Sequence, residues 1–342
     1  MSFVQPSFNN TELEKKIWQV EDAGFEALAL EVCRFQYQYN EQYRTFCDLL
    51  KRDVWHITRL EDIPFLPIAQ FKNAAVKTTI FEPEAIFESS GTTGTATSKH
   101  YVRSLGLYEQ SFLACFEKFY GKPEEYRILG LLPSYLERKH SSLLYMVNKL
   151  QALSKHADSG FYLYNHKDLA EVMEHMESKG QKTLLIGVTF ALLDFAQDYP
   201  MPLQHTIVME TGGMKGRRRE ITRDEVHAIL KERLSLPVIH SEYGMTELLS
   251  QAYALQDGKF KCPDWMKVLL RPDDDPLEVY PFQPGDDEKL QGVINVIDLA
   301  NLYSCSFIAT DDLGRLHPDG KFEVLGRLDN SDIRGCGLML VN

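Results

Sequence analysis

The chain has 342 residues, 44% of them hydrophobic and 25% charged, with a formal net charge of −12. That balance fits a globular protein with ample core, long for one domain and short for two large ones. An acidic chain lacks the basic face that a nucleic-acid partner needs, although one local pocket of donors can still hold a nucleotide.

The N-terminus, Met1-Ser2-Phe3-Val4-Gln5-Pro6, has no basic segment followed by an apolar run, so no signal peptide is expected. Residues 11–60 predict helices, with apolar positions at helical spacing. Asn10 or Thr11 would cap Glu12–Val20, and Asn40 would cap Tyr43–Leu50. The prolines of Ile63-Pro64-Phe65-Leu66-Pro67-Ile68 predict an extended segment leading into Phe71-Lys72.

Ala85-Ile86-Phe87-Glu88 predicts a strand, and Ser89-Ser90-Gly91-Thr92-Thr93-Gly94-Thr95 follows it. Glycine lets main-chain N–H groups approach an anion, and the hydroxyls add donors, so this loop suits phosphate oxygens. A linker or surface turn would have the same composition. Lys99–Arg103 then predicts a strand and Tyr108–Phe119 a helix. A Walker-type loop opens directly into its helix with Gly-Lys-Ser/Thr. Here Ala96 stands at the second glycine and a strand intervenes, so any phosphate is held differently.

From 126 to 250 strands and helices alternate. The predicted strands are Tyr126–Leu132, Phe161–Tyr164, Thr183–Val188, His205–Met209 and Val238–His240. The helices between them are Ser141–Leu153, Asp168–Ser178, Phe190–Gln197 and one opened by the capping box Thr222-Arg223-Asp224-Glu225; Thr246–Leu255 predicts a last helix. Such alternation predicts an α/β fold with a largely parallel sheet. The longest apolar stretch, Thr183 to Ala196, is broken by Asp194 and too short for a membrane span.

After 260, Trp265–Leu270, Gly292–Ile297, Phe307–Thr310 and Lys321–Val324 predict short strands between turns such as Pro272–Pro276 and Pro284–Asp287. The expected division is a helical cover over 1–75, an α/β core over 76–260 and a β-rich subdomain over 261–342. The six cysteines, Cys33, Cys47, Cys115, Cys262, Cys305 and Cys336, form no Cys-x-x-Cys and have no histidine at zinc spacing. Their scatter points to a reducing, cytoplasmic setting.

Three later motifs carry chemistry. Glu242-Tyr243-Gly244-Met245-Thr246-Glu247 follows a predicted strand, where α/β sheets place ligands. A Tyr there can stack on a base, a Thr can bond a phosphate and a Glu can hold Mg²⁺; equally, Thr246 could simply cap a helix. Thr310-Asp311-Asp312-Leu313-Gly314 could meet ribose hydroxyls or a metal, or be a solvated turn. Gly326-Arg327-Leu328-Asp329 offers a guanidinium.

The joint order of these motifs, with Arg334-Gly335 after them, resembles the adenylate-forming superfamily over roughly residues 60–336. Within it the chain is similar to the acyl-protein synthetases of bacterial bioluminescence and, more distantly, to phenylacetate–CoA ligases. Ile63–Pro67, Gly212-Gly213-Met214-Lys215 and Arg334-Gly335-Cys336-Gly337 look like that branch. The resemblance implies the large core of an adenylate-forming enzyme, with the usual C-terminal lid domain missing. It implies ATP and Mg²⁺. Ser89, Ser90, Gly91, Thr92, Thr93, Gly94 and Thr95 would wrap the β- and γ-phosphates, and Gly212 and Gly213 would lie along the adenine. Tyr243 and Gly244 would border base and acyl pocket, Thr246 would bond the α-phosphate, and Glu247 would bind Mg²⁺. Asp312 would take the ribose hydroxyls, with Asp311 in place of the family's Gly, and Arg327 would reach ribose or phosphate with Asp329 at the hinge.

A carboxylic acid, fatty or aryl, would attack the α-phosphorus to give an acyl-adenylate and pyrophosphate, and a thiol would then accept the acyl group. The acceptor is open: Cys336 itself, a partner or carrier protein in a complex, or CoA. Cys336 also reads as a small packed residue in a final strand. Without a lid lysine, Lys99, Lys215 or a partner chain would supply the cation. His140, at a helix entry, would face the acyl pocket or have no ligand role. The competing functions are a phosphate-loop NTPase of another class, an acyl- or aryl-CoA ligase, and a non-enzymatic nucleotide-binding subunit regulating a partner acyltransferase or reductase.

Overall fold

The first helix, α1 (Asn10–Trp18), starts earlier than its apolar spacing predicts. Asn9, not Asn10 or Thr11, takes the cap: its Oδ1 accepts the Glu12 N–H at 3.3 Å. The computed structural model describes residues 8–89, 97–133, 139–212, 221–281 and 290–328. After α1 come α2 (Asp22–Tyr39) and α3 (Glu41–Leu49), the second capped by Asn40 as expected, with Oδ1 accepting the Tyr43 N–H at 3.0 Å. The amide of Asn40 also donates to Thr78 Oγ1 and to the Ser304 carbonyl. Gln36 donates to the carbonyls of Asn301 and Leu302. Buried side-chain amides therefore fasten the helical region to the segment around residue 302.

The proline-rich stretch is extended, and part of it, β1 (Leu66–Pro67), joins a sheet. A short helix, α4 (Gln70–Asn73), follows. The strands β2 (Ala85–Glu88) and β3 (Lys99–Val102) pair antiparallel, Glu88 opposite Lys99, so the glycine-rich loop connects two paired strands. Next comes α5 (Leu105–Tyr120).

The alternating region folds as β4 (Arg127–Leu131), α6 (Ser142–Ser154), β5 (Gly160–Phe161), α7 (His166–Ser178), β6 (Thr183–Gly187), α8 (Thr189–Asp198), β7 (Thr206–Glu210), α9 (Arg223–Leu234), β8 (His240–Tyr243) and β9 (Ala252–Ala254). Among the described residues these strands form one six-stranded sheet in the order β5-β4-β6-β7-β8-β9, parallel except for β9. Every residue of β6 is buried, as expected of a strand with helices in the flanking connections. The Thr222 capping box opens α9 with both of its hydrogen bonds.

Two further expectations fail. Thr246–Leu255 is not a helix: residues 246–250 turn, and Ala252–Ala254 returns antiparallel to β8. The amides of Leu249 and Ser250 are taken by Asp298 rather than by helical carbonyls. Thr310–Gly314 is not a turn after a strand either. It lies inside β12 (Phe307–Leu316), which pairs with β11 (Leu290–Asp298) and β13 (Phe322–Arg327), while β10 (Met266–Arg271) borders β11. On its other edge, β12 pairs with β1 near Ile308 and with β13 from Asp312 onward, its register shifting between Leu313 and Gly314. A Cβ at Gly314 would lie 2.6 Å from Ile294 Cγ1 and 2.9 Å from the Glu323 carbonyl, so the strands approach there only because the residue is glycine. Among the described residues no helix is long and apolar enough to cross a membrane.

Candidate active site

The base of the glycine-rich loop is closed by two serines. Ser89 N–H donates to the Ser98 carbonyl at 3.1 Å, and Ser98 N–H donates to Ser89 Oγ at 2.9 Å. Ser90, Gly91, Thr92, Thr93, Gly94 and Thr95 lie outside the described residues, as do Gly213, Lys215, Asp329, Arg334 and Cys336. The ends of the loop are nevertheless fixed, and what surrounds them is defined.

Ser98 faces the turn after β8. The Glu247 carboxyl there is buried; burial pushes its pKa up, and the nearby Ser98 hydroxyl and the charges of Arg327 and Lys72 pull against that. Thr246, beside it, is half-buried. One residue before Gly244, Tyr243 donates its hydroxyl to Asp312 Oδ2 at 2.9 Å. Arg327, opposite Asp312 in the β12–β13 pair, donates Nε to Oδ1 at 3.0 Å. Asp312 is buried, whereas the Arg327 side chain is 76% exposed. The nearby Asp312 charge holds Arg327 above the usual guanidinium range. Tyr243, Asp312 and Arg327 thus form one hydrogen-bonded set, and Glu247 lies in the field of the same Arg327 and near Ser98.

Gly212 sits past β7 at φ +73°, its N–H donating to Glu210 Oε2 at 2.7 Å. Burial would raise the Glu210 pKa, but His227, Arg223, Ser241 and that N–H hold it down to about 2. Glu242, on β8, is the opposite case. Burial, and then the charge of Glu210, push it up to about 8. A Cβ at Gly244 would stand 2.5 Å from Glu242 Oε1, so that glycine makes room for the carboxyl.

Of the other candidates, Lys99 lies 3.8 Å from Glu88 Oε1 and is half-exposed. His140 Nδ1 donates to the Ile86 carbonyl at 3.2 Å, and its own carbonyl accepts the Glu88 N–H at 2.7 Å, so it ties β2 to the entry of α6. Sequence reasoning missed Ser98, Lys72 and His100. His100 Nδ1 donates to the Thr246 carbonyl at 2.8 Å, an interaction between residues 146 positions apart that no local pattern announces. Proximity of Ser98 to the glycine-rich loop was the one signal available.

Residues 16–127 match a family model described as "Acyl-protein synthetase, LuxE". The chain resembles that family over a stretch that includes the glycine-rich loop and stops before Tyr243. A search of curated proteins found no match. Solved structures with similarity include O-succinylbenzoate coenzyme A synthetase from Bacillus subtilis in complex with ATP and magnesium ion, at 19% identity and TM-score 0.49, covering 73% of this chain and 51% of that one. A long-chain-fatty-acid–CoA ligase from Archaeoglobus fulgidus is 13% identical at TM-score 0.46, covering 71% of this chain and 51% of that one. A luciferase-like enzyme from the nonluminescent mealworm Zophobas morio is 14% identical at TM-score 0.46, covering 74% and 60%. The chain therefore spans between about half and three-fifths of the length of these three structures.

Proposed function

We propose that this chain is an ATP-dependent acyl-activating enzyme of the acyl-protein synthetase kind, joining a carboxylic acid to AMP and passing the acyl group to a thiol. The observation that carries this reading is the placement of Asp312. Its carboxylate is held between Tyr243 and the exposed Arg327. Glu247 lies in the field of that same Arg327 and near Ser98 at the loop base. Carboxylate, guanidinium and buried acid, beside the base of a hydroxyl-rich sequence, are groups that a ribose, a charged phosphate chain and a cation would need.

The ribose hydroxyls would bond Asp312, with Arg327 free to swing toward phosphate. Thr246 would bond the α-phosphate, Gly212 and Gly213 would lie along the adenine, and Tyr243 and Gly244 would border base and acyl pocket. Ser89 to Thr95 would wrap the outer phosphates. Glu247 would hold Mg²⁺, whose chemistry here is to neutralise charge on the phosphates. Among the described residues no group of three or more His, Cys, Asp or Glu could hold a metal. A single buried carboxylate fits Mg²⁺ all the same, since that ion draws most of its ligands from phosphate and water.

The acid, fatty or aryl, would attack the α-phosphorus in line and release pyrophosphate; a thiol of Cys336, of a partner or carrier protein, or of CoA would then displace AMP from the acyl carbon. We place the enzyme in the cytoplasm, in keeping with five described cysteines that are all free. The test is pyrophosphate–ATP exchange across a panel of fatty and aryl acids. Exchange should appear only with a suitable acid; its absence from the whole panel would overturn the proposal.

A further inference from the structure

The turn that carries Thr246 and Glu247 has no regular secondary structure to hold it, yet its backbone is fixed at almost every step. The Thr246 carbonyl accepts from His100 Nδ1 at 2.8 Å. The Glu247 carbonyl accepts from Asn301 Nδ2 at 2.7 Å. The Leu249 and Ser250 N–H groups donate to Asp298 Oδ2 at 2.9 and 3.0 Å. Asp298 ends β11 and Asn301 closes the short 3-10 turn after it, but His100 comes from β3, the strand that leaves the glycine-rich loop. Ser98, two residues earlier, is itself bonded to Ser89 across the loop base.

We infer that His100 is a positioning residue, which through the Thr246 carbonyl sets the base of the glycine-rich loop, at Ser89 and Ser98, and the Thr246–Glu247 turn in fixed relation to each other. This rests on the acyl-activating reading, in which the loop holds the outer phosphates and the turn holds the α-phosphate and the cation. A carbonyl only accepts, so the proton of the neutral ring must sit on Nδ1. The ring is 1% exposed and packs edge-on to Phe71, with centroids 6.1 Å apart. Burial pushes its pKa down to about 4, so the imidazole stays neutral and its tautomer stays fixed through the neutral range. It serves as a rigid donor, and small errors in the placement of reacting groups are costly in rate.

The experiment compares His100→Phe, which keeps the ring volume and loses the donor, with His100→Asn, whose amide nitrogen can stand where Nδ1 stands. Acid-dependent pyrophosphate exchange is measured against Mg²⁺ concentration. His100→Phe should lower the maximal rate about tenfold to a hundredfold and raise the Mg²⁺ needed for half-maximal rate several-fold. His100→Asn should recover most of both. A rate and Mg²⁺ requirement within about twofold of wild type for His100→Phe, or no recovery in His100→Asn, would overturn the inference. If wild type shows no exchange at all, the acyl-activating reading falls. The clamp is then judged by amide hydrogen exchange at residues 246–250: faster in His100→Phe supports it, and unchanged refutes it.

Discussion

Two buried aspartates on neighbouring strands face the same question and answer it differently. Asp298, at the end of β11, is 0% exposed and accepts from Leu249 N–H, Ser250 N–H and Ser250 Oγ. The network closes on itself, since Ser250 Oγ is bonded in turn by Trp265 Nε1 and meets Ser111 Oγ. Asp312, on β12, has two side-chain partners, and one of them, Arg327, stands mostly in solvent. A carboxylate saturated by internal donors can only be structural. One held by an exposed guanidinium can exchange that partner for a ligand at little cost. The Asp298 region therefore builds the turn, and the Asp312 region is free to use it.

The comparison breaks most visibly through Asp298. Asp298→Ala would strand the Leu249 and Ser250 amides in a buried site, and should reduce unfolding free energy by about 3 kcal/mol or more, read by urea denaturation at neutral pH. Asp312→Asn should do the reverse. It keeps an acceptor for Tyr243 and loses the charge, so stability should change by less than about 1 kcal/mol. Acid-dependent exchange, measured as kcat/KM for ATP, should fall about a hundredfold. If the two variants traded these outcomes, the division of labour between the aspartates would be wrong.

The sequence made the alternating half of the chain readable because its signals are local. The capping box at Thr222 and the Asn40 cap are satisfied within a turn of where they are written. The site was readable only as a set of separate pieces. Asp311-Asp312 has the composition of a turn, and Arg327 and Tyr243 are what allow that sequence to run inside a strand. Residues 246–255 carry an apolar spacing compatible with a helix, but Asp298, about fifty positions away, captures the amides and the chain turns instead. His100 was invisible for the same reason: its partner is a distant backbone carbonyl with no side-chain signature.

A third acid sharpens the contrast. Glu242 is buried like Asp298, yet no hydrogen bond to its carboxyl is formed among the described residues, and burial with the Glu210 charge raises it to about 8. A folded-state pKa above the unfolded value means that the folded protein binds the proton more tightly. Stability from that proton is fully present below about pH 4.5 and is lost as pH rises toward 8, at on the order of 1 kcal/mol per pH unit. Wild type should therefore lose roughly 2 kcal/mol between pH 6 and pH 9, read by denaturant unfolding at each pH. Glu242→Gln should flatten that slope. An equal slope in the variant would mean that the carboxyl ionises freely in the fold.

Arg327 is expected to give the smallest change and tests the contrast from its exposed side. Arg327→Gln removes the ion pair with Asp312, but the guanidinium is already largely hydrated, so the pair adds little to folding. The loss in unfolding free energy should be about 0.5 kcal/mol or less. The site should feel it more, because without the cation both the buried Asp312 and the phosphates lose a countercharge, and KM for ATP should rise about fivefold to tenfold. A stability loss above about 1.5 kcal/mol would make Asp312 a closed ion pair of the same structural kind as Asp298. An unchanged KM would mean that the guanidinium does not leave Asp312 for the nucleotide, and the exchange of partners that separates the two aspartates would not occur.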